Sequence, residues 1–295
     1  MPVPDMPVHG VGLAAVPARH RRAGVPAGIV AALAWVALVV LAALLADRVR
    51  PYAITAVDLR HRLAPPWGMG GTAAHLLGTD ELGRDVLSRL LASVQVSVLI
   101  AFGATLLSAG FGTVVGFLAA HFRGLVEAAV LTAVDVQASV PFLIVALAVL
   151  AFFGNSLPLF VCLMGLYGWE RHARIARGLA VSAGAQGYAG AVRQLGAGPW
   201  RVYARHILPN IAGTLVVSAT LGFPEVILLE SGLSFLGLGI QPPLTSLGNM
   251  VGYGRDYLGR APWIAVAPSA VIVLTTLSAS LLGDWLRDRL DPTLN

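Results

Sequence analysis

Residues 188–209 read YAGAVRQLGAGPWRVYARHILP, and this stretch decides how the chain is organised. It lies in a basic segment between two strongly apolar blocks, and six arginines crowd that segment: Arg171, Arg174, Arg177, Arg193, Arg201 and Arg205. An arginine at the centre of a bilayer costs about 2.5–3.5 kcal/mol on the insertion scale, whereas each leucine or isoleucine gains about 0.3–0.6 kcal/mol. We therefore predict that the segment stays in water, on the cytoplasmic side of a membrane, where positive charge accumulates.

The same stretch has the pattern of two short helices joined by a Gly-Ala-Gly-Pro hinge at 196–199. Pro199 suits the first turn of the second helix, because the N–H group that proline lacks would have no partner there. Pro209 follows that second helix. A short helical hairpin that a membrane protein offers to the cytoplasm indicates a docking element.

The composition indicates that lipid is the solvent of this chain. Of its 295 residues, 57% are hydrophobic and 12% are charged, and the mean hydropathy is +0.77. A soluble protein carries about 25% charged residues. The net charge of +5 would suggest nucleic acid as a partner of a soluble protein, but here the arginines flank apolar blocks. We therefore expect membrane lipid, and no nucleic acid, to surround this chain.

The apolar blocks predict an all-α, polytopic membrane protein with six transmembrane helices, at 26–46, 93–120, 125–153, 157–169, 211–230 and 262–283. Residues 1–24 are predicted to form a disordered cytoplasmic tail, and residues 25–74 the first span with an outside loop. A cleaved signal peptide is the alternative for the first block, but its apolar core would have only about 7–15 residues. An even number of spans places both termini in the cytoplasm.

The predicted topology also has to place two irregular segments, one before the second span and one after the fifth, and three acidic residues. Thr79 can cap a helix that runs to residue 92 and either lies on the outer membrane surface or packs on other loops. Residues 231–261 are glycine-rich and too irregular for a lipid-exposed span, so we expect them to cap the outer side. Asp135, Glu225 and Glu230 fall toward the ends of predicted spans, and Asp135 is expected in water at the cytoplasmic boundary.

A stripe of small residues follows the second predicted span at every fourth position: Ala104, Ser108, Gly112, Gly116 and Ala120. Small side chains allow two helices to approach closely in lipid, where close packing drives helix association. We expect this face to pack against another helix. General richness in alanine and glycine is the alternative explanation.

The sequence lacks the residue patterns that most kinds of catalysis require. The seven histidines form no HExxH or HxxxH pair, and there is no Gly-x-Ser-x-Gly nucleophile motif. The single cysteine, Cys162, lies in an apolar run and supports neither a disulfide nor a thiol catalyst. The chain has no lysine, and a P-loop needs one to neutralise the phosphates of ATP. We therefore expect no metal or cofactor on this chain, and any ATP and Mg on a separate subunit.

These features leave three kinds of membrane protein to compare. A secondary transporter would show inverted repeats and ionisable residues near the midplane of the membrane, and neither is evident in the sequence. A membrane-embedded enzyme would need one of the missing catalytic sets. A transport subunit driven by a separate ATPase fits the docking hairpin and the missing ATP site.

Several motifs resemble the permease subunits of binding-protein-dependent ABC importers of the dipeptide, oligopeptide and nickel type, and in particular their C-type subunit. The signature of that family is Glu-Ala-Ala, three residues, Gly, nine residues, and then one residue followed by Ile-Leu-Pro. Here Gly196 takes the glycine position, 207–209 the end, and 190–192 the place of Glu-Ala-Ala, where only Ala191 agrees. Further similar stretches are LGTDELGRD at 77–85, LSFLGLG at 233–239, QPP at 241–243, LGD at 282–284 and LDP at 290–292.

The resemblance covers residues 75–295 and implies a permease core of the type I ABC importer fold, with a cytoplasmic coupling loop at 171–210. It implies pairing with a homologous B-type permease subunit, two ABC ATPase subunits and an extracytoplasmic solute-binding protein, in the inner or plasma membrane of a prokaryote. It also implies a coupling helix at 188–196 that is seated in an ATPase, and no enzymatic activity of the chain itself. The coupling residues carried over by the resemblance are Tyr188, Gly190, Ala191, Val192, Leu195, Gly196, Ile207, Leu208 and Pro209. Peptides, nickel chelates, opines and glutathione-like molecules remain open as solutes.

Overall fold

The apolar blocks of the sequence form helices in a computed structural model, which describes residues 25–290 without the side chains of residues 188, 189 and 193. The predicted tail at 1–24 lies outside the described residues. No strand occurs within 25–290. The helices are α1 Ala27–Val49, α2 Val86–Phe122, α3 Gly124–Ser139, α4 Phe142–Phe153, α5 Leu157–Gly165, α6 Trp169–Gly184, α7 Gly187–Gln194, α8 Pro199–Val202, α9 Leu208–Phe235, α10 Leu247–Gly254 and α11 Trp263–Leu290.

The long helix α2 begins later than the sequence pattern predicts. Asp85 caps it, accepting a hydrogen bond from the backbone N–H of Ser88 at 2.7 Å. Thr79, the predicted cap, is instead buried in the preceding loop, where its hydroxyl accepts a hydrogen bond from the Ala64 N–H at 2.8 Å. The prediction of a separate surface helix from 79 was wrong, because Asp85 supplies a cap immediately before the unbroken helix starts.

The all-α membrane architecture is confirmed, although the count of six spans is not reproduced in detail. Within the described residues, α1, α2, the stretch 199–235 and α11 are each long and apolar enough to cross a membrane. Helices α3 and α4 form a fifth candidate, bent by 88°. The predicted single helix at 125–153 therefore breaks at Pro141, because proline disfavours a helical conformation in the residue before it. The nine residues of α5 rise only about 14 Å, too short to cross alone.

Helices α5 and α6 run one after the other past α2, with a break at 166–168 between them. An added Cβ at Gly165 of α5 would collide with Leu107, whereas an added Cβ at Gly116 would collide with Ala176 of α6. Within residues 25–290, two pairs of helices are interrupted by short breaks: α3 with α4, and α5 with α6.

The apolar part of α1 and its contact with α2 show where the apolar layer begins and where its middle lies. Its apolar part, residues 27–46, rises about 30 Å, which matches the thickness of the hydrocarbon layer. Asp47 follows and accepts a hydrogen bond from Gln95 of α2 at 3.4 Å, so Gln95 marks one boundary of the layer. Thr105 lies about 15 Å further along α2 and therefore marks the middle.

Separate clusters of side chains close the two ends of the bundle. The basic end combines α2, α6 and the start of α9 around Ala120, Ala180 and Ile207. The opposite end, which we call the glycine-rich end, consists of residues 50–85 and 236–262 and packs around Val86 and Met250. Between these ends, Trp35 of α1 donates a hydrogen bond to Thr275 of α11 at 3.1 Å.

The interrupted segment after α9 folds back onto the bundle at the glycine-rich end. Glu230 of α9 is fully buried and accepts hydrogen bonds from the hydroxyls of Ser97 at 3.1 Å and Ser234 at 2.7 Å. The Ser97 hydroxyl also accepts a hydrogen bond from the Leu247 N–H at 3.1 Å, and the Ser246 hydroxyl donates to Ser234 at 3.1 Å. This network joins α2, α9 and the start of α10.

Candidate functional site

Residues 188–209 form a hinged pair of short helices at the basic end. Helix α7 covers 187–194, and a tight turn leads to α8, which begins at Pro199. In the turn, the Leu195 N–H donates to the Ala191 carbonyl at 3.1 Å, and the Ala197 N–H donates to the Val192 carbonyl at 3.2 Å. Gly196 has a φ of +81°, in the left-handed region that favours glycine. The hinge therefore depends on this glycine.

Two large apolar side chains of this hinge project from the molecule. Leu195 is 86% exposed and Trp200 is 84% exposed. An added Cβ at Gly190 would have no atom within 4 Å, so the α7 surface around Gly190 is also open. Apolar side chains presented in this way at the end of a helix pair indicate a surface that another protein covers.

The second half of the predicted coupling set has a different environment. Ile207 is fully buried, and Leu208 packs beside it in the cluster at the basic end. Pro209 is exposed and does not end a helix, because a π-helical turn at 203–207 leads directly into α9. In that turn the Leu208 N–H donates to the Tyr203 carbonyl, which widens the helix where Pro209 cannot donate. These residues anchor the hinge to the bundle.

The small-residue stripe on α2 faces α6 from Ser108 to Ala120. Ala104, Ser108 and Ala120 are buried. An added Cβ at Gly112 would lie 2.7 Å from the Cβ of His172, and one at Gly116 would lie 2.5 Å from the Ala173 carbonyl oxygen. No side chain larger than hydrogen fits at these two positions. The stripe therefore lets α6, and with it the start of the hinge, pack directly on the backbone of α2.

Ion pairs to other helices hold the arginines of α6. Arg177 donates to Glu127 of α3 at 2.6 Å through its Nε, and Arg174 pairs with Asp135 of α3 at 2.6 Å. The Asp135 side chain is 70% exposed, so it is not part of a buried site. Both pairs bind α3 to α6 beside the basic end.

A third pair, between Arg171 of α6 and Glu225 of α9, was not anticipated from the sequence. The Nη2 of Arg171 lies 2.8 Å from a carboxylate oxygen of Glu225, and the Tyr167 hydroxyl donates to the other oxygen at 3.0 Å. The regular spacing of arginines at 171, 174 and 177 was a signal that each needs an acid on a neighbouring helix. The sequence could not show which acid each one meets.

The interface of α6 with α2 also holds a buried histidine. The Nδ1 of His172 lies 3.2 Å from the Ser108 hydroxyl and 3.0 Å from the Gly168 carbonyl. Its Nε2 is buried without a hydrogen-bond partner among the described residues. Within 25–290, no group of three histidine, cysteine or acidic side chains is placed to hold a metal ion.

Comparison with known proteins identifies the family. Residues 112–295 match the family described as "Binding-protein-dependent transport system inner membrane component". The chain belongs to this family. It is 37% identical over 268 residues, 90% of this chain and 88% of the relative, to the "Di/tripeptide transport system permease protein DppC" of Pseudomonas aeruginosa.

Two further relatives match over a similar share of both chains. The "Dipeptide transport system permease protein DppC" of Haemophilus influenzae is 32% identical over 90% of this chain and 91% of its own length. The "Oligopeptide transport system permease protein OppC" of Mycobacterium bovis is 35% identical over 89% of both chains. This family member is thus a multi-pass membrane permease component of an ABC importer, a transport subunit and not an enzyme.

Proposed function

We propose that this chain forms half of the translocation pathway of an ATP-driven importer of small peptides, and that α7 and its hinge dock on a separate ATPase. The observation that carries this proposal is the exposed hinge at the basic end, where Leu195 and Trp200 offer apolar surface beside a helix fixed to the bundle.

The other half of the pathway would be a homologous B-type permease subunit. Two ABC ATPases would supply the energy, with ATP and Mg bound there, because this chain has no lysine for a P-loop. An extracytoplasmic binding protein would deliver the solute, as the family description "binding-protein-dependent" suggests. The proposed permease core covers 75–295, somewhat more than the matched residues 112–295.

Movement of the ATPase would reach the membrane-spanning helices through α7 and its two connections, to α6 and to α9. Helix α6 packs on the small-residue stripe of α2 and leads directly into α7. Ile207 anchors the far side of the hinge in the cluster at the basic end. A shift of α7, caused by closure of the ATPase, would therefore be transmitted to α6 and α9 rather than absorbed by a flexible loop.

The orientation of the chain in the membrane follows from the docking of an ATPase on the hinge. An ATPase is cytoplasmic, so the basic end would face the cytoplasm of a prokaryote and the glycine-rich end the binding protein. Helix α1 would then run outward and α11 would return, so that both termini would lie in the cytoplasm. Three relatives are named for dipeptides, tripeptides and oligopeptides, which favours small peptides over nickel chelates as the solute.

Substitution of the exposed hinge side chains tests the proposal. Trp200→Ala and Leu195→Ala remove apolar surface, and burial of each side chain is worth about 1.5–3 kcal/mol. We expect each variant to bind the ATPase about 10–100-fold more weakly in detergent-purified complexes. Trp67, 63% exposed at the glycine-rich end, provides a matched control. Equal loss of ATPase binding in Trp67→Ala, or none in Trp200→Ala, would exclude the hinge as the docking surface.

A further inference from the structure

The ion pair between Arg171 and Glu225 lies near the middle of the apolar layer. Glu230 contacts Ser97 of α2, and Glu225 is about 7.5 Å closer to the basic end along α9. The ring of His172, next to Arg171, contacts Ser108 of α2, and its Cβ faces Gly112, one turn closer to the basic end. The two partners therefore lie on either side of the level of Thr105, which marks the middle of the layer. This placement differs from the predictions that Glu225 lies near a span end and that Arg171 lies outside the membrane.

This pair is open to its surroundings. The Arg171 side chain is 48% exposed and that of Glu225 is 38% exposed. Charged groups at this depth face the interior of a bundle or a water-filled cavity, because hydrocarbon cannot solvate them. The surface that carries the pair is therefore not a lipid-facing surface.

The backbone next to the pair is irregular at the same depth. Helix α6 starts after Gly168, and α4 starts after Pro141. The rings of Phe142 and Tyr167 lie 4.7 Å apart, so the breaks of both interrupted helices meet here. Irregular backbone in a membrane is tolerated where it is buried in protein or lines a water-filled cavity, so this face belongs to the contact or the pathway between the two permease subunits.

The first turns of α4 and α6 add positive electrostatic potential beside the ion pair. Neither helix has a side-chain cap that accepts a hydrogen bond from its first turn. The first N–H groups of a helix have no partner within the helix and attract negative charge. Arg171 lies in the first turn of α6 beside Glu170, so a guanidinium, a carboxylate and unpaired N–H groups share this helix start.

We infer that Arg171, Glu225 and the starts of α4 and α6 form a solute-binding site on the translocation pathway that takes a small zwitterion. Arg171 and the helix starts bind the carboxylate, and Glu225 binds the ammonium group. In the unloaded site the two side chains neutralise each other, and the solute replaces each partner with a group of the same charge. The assignment of a peptide as this zwitterion rests on the proposed function.

Protection of a nearby thiol tests the site in the complete transporter in nanodiscs. Leu228, exposed and one turn from Glu225 on α9, is replaced by cysteine in a Cys162→Ser background. We expect a charged, water-soluble thiol reagent to label Leu228→Cys. Dialanine at four-fifths occupancy should slow labelling about fivefold, and N-acetyl-dialanine amide, which has neither charge, should not slow it.

Charge-neutral variants assign this protection to the pair. Arg171→Gln and Glu225→Gln should each abolish protection by dialanine. Arg174→Gln, on the same helix and also removing an exposed ion pair, should retain it. An unreactive Leu228→Cys, protection by the blocked peptide, or protection that survives both substitutions would overturn the inference. Failure of the proposed function would appear separately, as absence of ATP-driven dialanine uptake by the unmodified transporter.

Discussion

A leucine at position 116 should disrupt the packing of α6 on α2. An added Cβ there would lie 2.5 Å from the Ala173 carbonyl oxygen and 2.9 Å from both the Ala176 Cβ and the Arg177 nitrogen. Two of these three atoms belong to the backbone of α6, so no change of side-chain rotamer can relieve the collision. The helices must separate by about 1 Å, which forfeits up to half of the dispersion energy at the contact.

The cost of this substitution can be estimated. Overpacking of a tight interior typically costs about 1–3 kcal/mol, and we expect the upper value because the obstacles are backbone atoms. In a chain of this size, about 3 kcal/mol corresponds to a fall of about 6–12 °C in melting temperature. Thermal unfolding of the detergent-purified chain, followed by loss of the monodisperse peak in size-exclusion chromatography, measures this fall.

Gly110 provides the matched control for this experiment. It lies on the same helix, and an added Cβ there would have no atom within 4 Å. Gly110→Leu should therefore leave the melting temperature unchanged within about 2 °C, a shift worth about 1 kcal/mol or less. Equal melting temperatures of Gly116→Leu and Gly110→Leu would refute the argument that the stripe requires glycine.

Three further substitutions have defined expected effects. Gly196→Leu, at a φ of +81°, or deletion of 188–198, should uncouple ATP hydrolysis from uptake while the chain still inserts, measured by both rates in proteoliposomes. Glu230→Ala removes the acceptor of buried serine hydroxyls and should lower stability by about 1–3 kcal/mol, seen as faster proteolysis at the glycine-rich end. Arg89→Leu removes one of the two arginines that pair with the buried Asp80, Arg84 being the other, and should cost about 1.5–3 kcal/mol in thermal unfolding.

Each of these substitutions has a control in the same chain. Gly198, with a φ of −66° and no atom near its added Cβ, should accept leucine without loss of coupling. Glu230→Gln keeps one acceptor oxygen and should retain most of the stability. Arg255, whose ion pair with Asp256 is exposed, should accept leucine with little effect. Coupled uptake in Gly196→Leu, or equal effects of a variant and its control, would contradict the corresponding prediction.

The position of Glu225 removes one of the reasons for excluding a secondary transporter. The sequence indicated that the acids lie toward span ends, but Glu225 lies near mid-depth and pairs with Arg171. An ionisable group at that depth is also found in ion-coupled transporters. Membership of the binding-protein-dependent family, rather than the position of the acids, therefore decides between the two classes.

The sequence by itself determined the class of the protein and the local features of the hinge. Low charge and long apolar blocks require lipid, whatever the arrangement of the helices. The hinge at 196–199 was also readable, because glycine and proline restrict the backbone locally: Gly196 adopts a positive φ, and Pro199 starts α8.

Only the tertiary structure decided which residues meet across helices. Arg171 and Glu225 are far apart in the chain and pair at mid-depth because α5 ends early and α6 starts within the bundle. Helix α2 starts at Asp85 rather than Thr79, since the loop buries Thr79. Periodicity reports which face of a helix is apolar, but the partner of that face and the depth of each charge depend on packing between distant segments.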